Sequence, residues 1–168
     1  REGFDSQFAF IVAEPGEGRR TIFWRRPTGP PPSGKEIDYA SLCTAKVLHT
    51  DGLFAEASLA ACKAAKEAGV QVVVDAGSLH EGMLDLARVS DYFLASEAFS
   101  QALVGEDRPL EACHKLAELG PRVVGVTLGP RGYVALDSGR MIERPAYQVE
   151  AVDTTGCGDV FHGGFTYG

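Results

Sequence analysis

The run Val70-Gln-Val-Val-Val-Asp75 constrains the fold of this chain more than any other stretch. Valine favours strands because its branched Cβ limits the side-chain rotamers and packs well on a pleated surface. A nearly continuous apolar run, in place of an alternating pattern, is typical of a strand that is buried on both faces of a parallel sheet. The run therefore predicts a central strand of an α/β sheet.

Helical and strand-like segments alternate around this run. Such alternation indicates βαβ units, and hence a mainly parallel sheet with helices on both faces. We predict strands at residues 46–49, 92–95, 122–127, 132–136, 141–143 and 147–149, and helices at 36–42, 53–68, 81–87, 97–103 and 109–119. Ser96 is the expected N-cap of the fourth helix. Gly69 ends the second helix, whose predicted buried face consists of Leu53, Ala57, Ala60, Ala61, Ala64 and Ala68.

The first 34 residues lie outside this alternation. Residues 8–13 and 21–25 are rich in strand formers, and they flank the turn-like sequence Glu14-Pro-Gly-Glu-Gly18. Residues 27–34 contain four prolines and two glycines, a composition that predicts an irregular loop. We therefore expect two parts: a β hairpin with its Pro/Gly loop over residues 1–34, projecting as a lid, and an α/β core over residues 35–168.

A glycine-rich loop, Asp153-Thr-Thr-Gly-Cys-Gly-Asp159, precedes the last helical pattern. The first amides of a helix have no partner within the helix and carry partial positive charge, so they can hold an anion. Gly156 and Gly158 let the backbone approach that anion because they lack a Cβ. An amide cradle beside the carboxylate of Asp159 suits phosphoryl transfer to a hydroxyl. The alternative is a plain glycine-rich turn in which Asp159 only complements the helix dipole.

The full string strongly resembles the Asp-Thr-x-Gly-x-Gly-Asp signature of the ribokinase/PfkB family of sugar kinases. The resemblance implies a ribokinase-like fold and transfer of the γ-phosphoryl of ATP to a sugar hydroxyl, with Mg²⁺. It implies that Asp159 is the catalytic base and that the amides of Gly156, Cys157 and Gly158 form the anion hole. Asp153 and Thr155 match positions that bind a monovalent cation, K⁺, in some relatives, with structural capping as the alternative.

A second motif lies about 25 residues earlier in the chain. Val126-Thr-Leu-Gly-Pro-Arg-Gly132 resembles the family's Thr-Leu-Gly-x-x-Gly nucleotide loop, and ligands of α/β sheets bind at the carboxyl ends of strands. The resemblance implies that Thr127, Gly129 and Gly132 line the ATP site. It therefore makes residues 35–168 a nucleotide-binding core. Taken alone, Leu-Gly-x-x-Gly is a weak pattern that usually marks a hairpin turn.

The chain departs from the family pattern at Ser96-Glu-Ala-Phe99. Many members carry Asn-x-x-Glu there, which helps to position magnesium and phosphate. Only Glu97 offers a carboxylate, in a shifted register, which resembles the ketohexokinase-like branch more than ribokinase. Glu97 stays a candidate for the cofactor site, and the Mg²⁺ ligands stay open.

The family's Gly-Gly-x-x-x-Asn sugar-binding segment and its last helices have no counterpart within residues 1–168. We therefore expect a fragment with an incomplete core and little or no activity by itself. The residues that would select one sugar are not identified, and the expected substrate is a small-molecule sugar. The resemblance also implies a homodimer formed through the hairpin.

The net charge and the cysteine spacing limit the possible binding partners and the cellular compartment. A net charge of −7 argues against a general binder of nucleic acid or anionic membranes. The four cysteines lack CxxC spacing, which predicts free thiols and a cytoplasmic location. The four histidines show no mutual metal spacing, and His162 is expected to be a packing or surface residue.

Two other classes of function compete with the kinase. One is a nucleotide- or sugar-binding regulator on the same fold, which the departures at Ser96 and Phe99 favour and the intact Asp159 disfavours. The other is a dinucleotide oxidoreductase, but Gly156-Cys-Gly158 lacks a third glycine at the required spacing. A Walker-type NTPase is excluded because the complete pattern Gly-x-x-x-x-Gly-Lys-Ser/Thr does not occur; the stretch from Gly29 to Lys35 is followed by Glu36.

Overall fold

A computed structural model of the chain describes residues 2–13 and 20–168. They fall into two compact units, Arg1–Pro31 with Gln148–Gly168, and Pro32–Tyr147. The predicted division into a lid over residues 1–34 and a nucleotide-binding core over residues 35–168 stays a prediction. None of the helices in the described residues is long and apolar enough to cross a lipid bilayer.

In the first unit, β1 (Phe8–Ala13) and β2 (Arg20–Arg25) pair in an antiparallel arrangement, with Phe10 opposite Phe23. The predicted hairpin arms are therefore confirmed, whereas the predicted turn at Glu14–Gly18 lies outside the described residues. The same unit contains α6 (Cys157–Tyr167), the helix that follows the glycine-rich loop.

The second unit is built on a six-stranded sheet whose strands lie side by side in chain order. β3 to β6 are parallel, and β7 and β8 continue the sheet in an antiparallel arrangement. The expected fold class, a mainly parallel sheet with helices plus a small β hairpin, is confirmed. The strands are β3 (Val47–Thr50), β4 (Gln71–Ala76), β5 (Tyr92–Ser96), β6 (Val123–Thr127), β7 (Tyr133–Asp137) and β8 (Arg140–Arg144); the helices are α1 (Tyr39–Leu42), α2 (Ala55–Glu67), α3 (Met83–Val89), α4 (Glu97–Val104) and α5 (Pro109–Ala117).

The main core lies between one face of this sheet and the helices α2 to α5. It combines strand residues with side chains from the four helices, among them Val72, Val74, Phe93, Val124, Val126, Cys62, Leu86, Phe99, Cys113 and Leu116. On the opposite face of the sheet, Val73 and Leu94 are also almost fully buried. The valine run is thus a central strand that is buried on both faces, as its composition predicts.

Two local predictions are wrong. The buried residues of α2 are Ala57, Cys62 and Ala65, so the packed face is rotated from the predicted alanine face. Alanine is too small and too evenly distributed in this helix for its spacing to single out one face. The predicted strand at residues 147–149 does not form, and Tyr147 and Val149 are 94% and 77% exposed.

Candidate functional site

Three loops of the second unit start at the same edge of the sheet, because β4, β5 and β6 are parallel and end near one another. Ala76 is paired with Ala95, and Ser96 is paired with Thr127. The carboxyl ends of parallel strands are where α/β sheets bind their ligands. This edge therefore carries the candidate nucleotide site, and the segments that follow Ala76, Ser96 and Thr127 form it.

Ser96 joins two of these loops through one hydroxyl group. Its Oγ accepts a hydrogen bond from the backbone N–H of Phe99 at 3.0 Å, which caps α4 as predicted. The same hydroxyl donates to the carbonyl oxygen of Gly77, just after β4, at 2.8 Å. The start of α4 is therefore fixed both to its own first turn and to the neighbouring loop.

Glu97, the first residue of α4, forms an ion pair with Arg131 from the loop after β6. The Glu97 carboxylate also lies 3.5 Å from the side-chain amide nitrogen of Gln101. A second acid, Asp107, lies 3.8 Å from the guanidinium of Arg131. Glu97 is thus paired with a cation of the chain, and the ligands of Mg²⁺ stay open.

The sequence motifs did not identify Arg131. The ion pair of Glu97 with Arg131 could have been predicted only from the register of β5 and β6. Ser96 and Thr127 are partners across β5 and β6, so the segments that follow them leave the sheet side by side. Thr127 itself donates from Oγ1 to the carbonyl oxygen of Ala95 at 3.4 Å, which ties the ends of the same two strands together.

The two glycines of the predicted nucleotide loop have different surroundings. Gly132 has φ 94° and ψ −130°, and a Cβ built on it would stand 1.9 Å from the backbone oxygen of Arg144. Gly129 has φ 57°, and a Cβ there would meet no heavy atom of the described residues within 4 Å. Packing alone thus accounts for Gly132, whereas the backbone at Gly129 is open to a ligand.

In the other unit, the glycine-rich loop leads directly into α6. Asp153 accepts a hydrogen bond from the backbone N–H of Thr155 at 2.8 Å, and Gly156, at φ 78°, is the N-cap. Gly156 then accepts the first helical hydrogen bond, from the backbone N–H of Val160 at 2.9 Å. The predicted transition from loop to helix N-terminus is confirmed, and Asp153 closes the turn that precedes the N-cap.

Asp159 lies in the first turn of α6 and is exposed. Its Oδ2 is 3.8 Å from the position that a Cβ on Gly156 would take, so the carboxylate lies close to the helix N-cap. The N–H of Cys157 donates to the carbonyl oxygen of Thr154 at 3.2 Å. This amide could hold an anion only by sharing its proton, in the bifurcated arrangement that is common at helix termini.

His162 lies on α6 and is buried, and two of the four cysteines, Cys62 and Cys113, are buried as well. His162 is 6% exposed, and its ring lies 5.8 Å from that of Phe161, as expected for a packing residue. All four cysteines are free, as predicted. Burial raises the pKa of Cys62 to about 11 and that of Cys113 to about 12, so neither thiol is an effective nucleophile at neutral pH.

Several known proteins are similar to this chain in sequence or in fold. A deoxyribokinase from Salmonella typhi is 31% identical over 108 residues, which cover 61% of this chain and 35% of that protein. The crystal structure of ribokinase from Thermotoga maritima has 27% identity and a TM-score of 0.76, and covers 97% of this chain and 56% of that one. A structure titled "putative Ribokinase II in complex with ATP and Mg+2 from E.coli" has 23% identity and a TM-score of 0.75, over 94% and 56% of the two chains.

These alignments thus span about a third to about a half of the relatives' own lengths. The family model described as "pfkB family carbohydrate kinase" matches residues 5–168, a range that contains the glycine-rich loop before α6 and the Thr127–Gly132 loop. This match establishes that the chain belongs to the pfkB family of carbohydrate kinases, and the mostly parallel sheet agrees with it.

Proposed function

We propose that the protein is an ATP-dependent sugar kinase that transfers the γ-phosphoryl of ATP to a sugar hydroxyl. The observation that carries the proposal is the turn at Gly156 into α6, with the carboxylate of Asp159 in the first turn beside the helix N-cap. Helix-start amides next to one carboxylate are the two groups that phosphoryl transfer to a hydroxyl requires.

In this mechanism Asp159 orients the acceptor hydroxyl and takes its proton. The amides of Gly156, Cys157 and Gly158 stabilise the negative charge on the oxygens of the transferring phosphoryl group, since helix-start N–H groups point toward an anion. A weakly basic carboxylate suffices as the base, because the transition state is loose and the hydroxyl loses its proton late.

Thr127, Gly129 and Gly132 line the ATP site in this proposal. The backbone at Gly129 is open to a ligand, and the loop leaves the sheet at the carboxyl ends of parallel strands. A solved structure with the same fold contains ATP and Mg²⁺. Mg²⁺ would supply positive charge at the ATP phosphates, and Glu97, which is paired with Arg131, is not among the residues proposed to hold it.

A cation site and a cellular compartment are also part of the proposal. A monovalent cation, K⁺, is bound at Asp153 and Thr155, in addition to the turn that these residues already form. The compartment is the cytoplasm, consistent with the free thiols of Cys62 and Cys113 in the core.

A homodimer through β1 and β2 is also part of the proposal. Both faces of this ribbon carry large apolar side chains: Phe10 and Phe23 are 58% and 60% exposed, and Ile22 and Trp24 are 45% and 52% exposed. A two-stranded sheet is marginally stable unless its apolar face is covered, and such patches mark interaction surfaces. Light scattering should give twice the monomer mass, and Phe23→Glu should give the monomer; an unchanged mass would reject this interface.

The activity is tested on the protein at its full natural length. ADP release from Mg-ATP is measured with a panel of ketoses, aldoses, nucleosides and sugar phosphates. We expect release that depends on one class of sugar and is abolished by Asp159→Asn. Release that persists in Asp159→Asn would reject the base assignment.

The second candidate is a regulator that binds ATP or sugar without turnover. The departures at Ser96 and Phe99 favour it, because Phe99 stands where many relatives carry the acid that helps to position metal and phosphate. The same measurements separate the two. Tight binding of ATP without ADP release on any sugar would identify the regulator.

A further inference from the structure

We propose that Glu97 is a positioning residue for the nucleotide loop. Through Arg131 it holds Leu128–Gly132 in the conformation that accepts ATP, and it does not bind Mg²⁺. The proposal rests on the proposed ATP site at this loop and deepens it. It assigns a role to two residues that the family signature does not explain.

Glu97 is attached to a rigid part of the fold. Ser96 fixes the start of α4 through its two hydrogen bonds, to Phe99 and to Gly77. Phe99, in the first turn, is fully buried, and its ring packs edge-on against that of Phe93 at 5.5 Å. The Glu97 carboxylate therefore projects from a backbone that cannot move without disturbing the core.

The loop is anchored differently at its two ends. Gly132 is locked by its close packing against Arg144 and Pro145. Gly129, Pro130 and Arg131 are all exposed, and a Cβ on Gly129 would meet no described atom within 4 Å. The loop is closed by its own backbone hydrogen bonds, from Leu128 N–H to the Gly132 carbonyl oxygen at 2.8 Å and from Gly132 N–H to that of Gly129 at 3.0 Å. The Arg131 side chain links this turn to the rigid start of α4.

The local charge favours this role over direct phosphate binding by Arg131. The guanidinium faces two carboxylates, those of Glu97 and Asp107, so the cluster has one positive and two negative charges. Such a cluster repels a polyphosphate instead of attracting it. The donors of Arg131 are directed to the protein, and the backbone at Gly129 is left to face the ligand.

The solvent exposure of the ion pair limits how much its loss can change stability and ATP binding. The Arg131 and Glu97 side chains are 54% and 36% exposed, and ion pairs of this kind contribute little to global stability. We therefore expect unchanged thermal unfolding together with an ATP dissociation constant that rises about 3- to 5-fold when the pair is broken.

The test is a double-mutant cycle in the full-length protein with Glu97→Gln, Arg131→Gln and the double variant. ATP dissociation constants are measured by calorimetry without sugar, and kcat, KM for ATP and the Mg²⁺ concentration for half-maximal rate are measured with sugar. If Glu97 acts through Arg131, Glu97→Gln raises the ATP dissociation constant and KM although it removes a negative charge, and the double variant is no worse than Arg131→Gln. Values of kcat and Mg²⁺ dependence stay unchanged.

Arg108→Gln is the matched control. It breaks the Arg108–Glu111 pair at the start of α5, whose side chains are 56% and 35% exposed, and should leave ATP binding unchanged. Normal or tighter ATP binding in Glu97→Gln, beside a loss in Arg131→Gln, would show that Arg131 acts on the phosphates by its own charge and would overturn the proposal. A higher Mg²⁺ requirement confined to Glu97→Gln would show a metal ligand and overturn it as well.

The outcomes also separate this proposal from the proposed function. If no sugar causes ADP release but the ATP dissociation constants follow the predicted cycle, the kinase assignment fails and the positioning role stands. If turnover is normal but the effects of the two substitutions on the ATP dissociation constant add, or no variant changes it, the positioning role alone is rejected. Absence of ATP binding by the unmodified protein rejects both.

Discussion

The backbone oxygen of Arg144 occupies the space that any side chain on Gly132 would need, because a Cβ at Gly132 would lie 1.9 Å from it. The carbonyl carbon of Pro145 would lie 2.7 Å away on the same side. These are backbone atoms at the end of an edge strand, so a rotamer change cannot relieve the clash. The β6–β7 loop and the segment after β8 are therefore packed together at this one residue.

Gly132→Ala should destabilise the fold by about 3 kcal/mol or more, since it adds this clash to a backbone conformation that is nearly restricted to glycine. Urea unfolding followed by circular dichroism measures the loss. The matched control is Gly139→Ala in the β7–β8 turn, where φ is 84° and a Cβ meets no described atom within 4 Å. It should cost only about 1–2 kcal/mol for the left-handed backbone. Equal losses would show that packing on Arg144 is unimportant.

Asp159→Asn should lower kcat by about 10²- to 10⁴-fold in the full-length protein, the usual contribution of a positioned general base. The ATP dissociation constant should change little, because the proposed partner of Asp159 is the sugar hydroxyl. Steady-state kinetics and calorimetry check the two quantities, and Asp137→Asn at the exposed end of β7 is the control. A loss of ATP affinity that matches the loss of kcat would contradict the base assignment.

Ser96→Ala should cost about 1 kcal/mol of stability, because it removes the side-chain acceptor of the α4 N-cap and the donor to Gly77. Ser96→Asp should keep the cap and lose only the bond to Gly77. Thermal unfolding compares these variants with Ser78→Ala, an exposed serine after β4. If Ser96→Ala unfolds like the control, the cap does not stabilise the start of α4.

Under native conditions near pH 8, two of the four thiols should react rapidly with Ellman's reagent, the exposed Cys43 and Cys157. Cys62 and Cys113 should react only after unfolding, because they are buried and burial raises their pKa to about 11 and about 12. The unfolded thiols lose their protons near the ordinary value of 9.0, so the free energy of unfolding should fall as the pH rises from 9 toward 11. Four rapid thiols in the folded protein would contradict the burial of the core cysteines.

Features that are set by residues adjacent in the chain could be predicted from the sequence. The valine run of β4, the Ser96 cap and the glycine-rich start of α6 each carry their own local pattern, and each forms as expected. The face of α2 could not be predicted, since several of its faces present alanine and only packing against the rest of the unit selects one.

Contacts between distant segments left no local signal. Glu97 and Arg131 are 34 positions apart, and only the alignment of β5 with β6 brings them together. The packing of Gly132 on Arg144 likewise depends on the antiparallel return of β8 beside β7. Sequence patterns singled out the Thr127–Gly132 loop, but they did not reveal its packing on Arg144 or the ion pair of Arg131 with Glu97.

The pairing of Ser96 with Thr127 has a consequence for how the chain folds. A slip of one residue between β5 and β6 would turn alternate side chains to the wrong face of the sheet and would also separate α4 from the loop. A ligand that binds this loop stabilises only molecules with the correct alignment, because ligand binding favours the state that forms the site. Any ligand of this loop would therefore shift the population of chains from a misaligned sheet toward the native register.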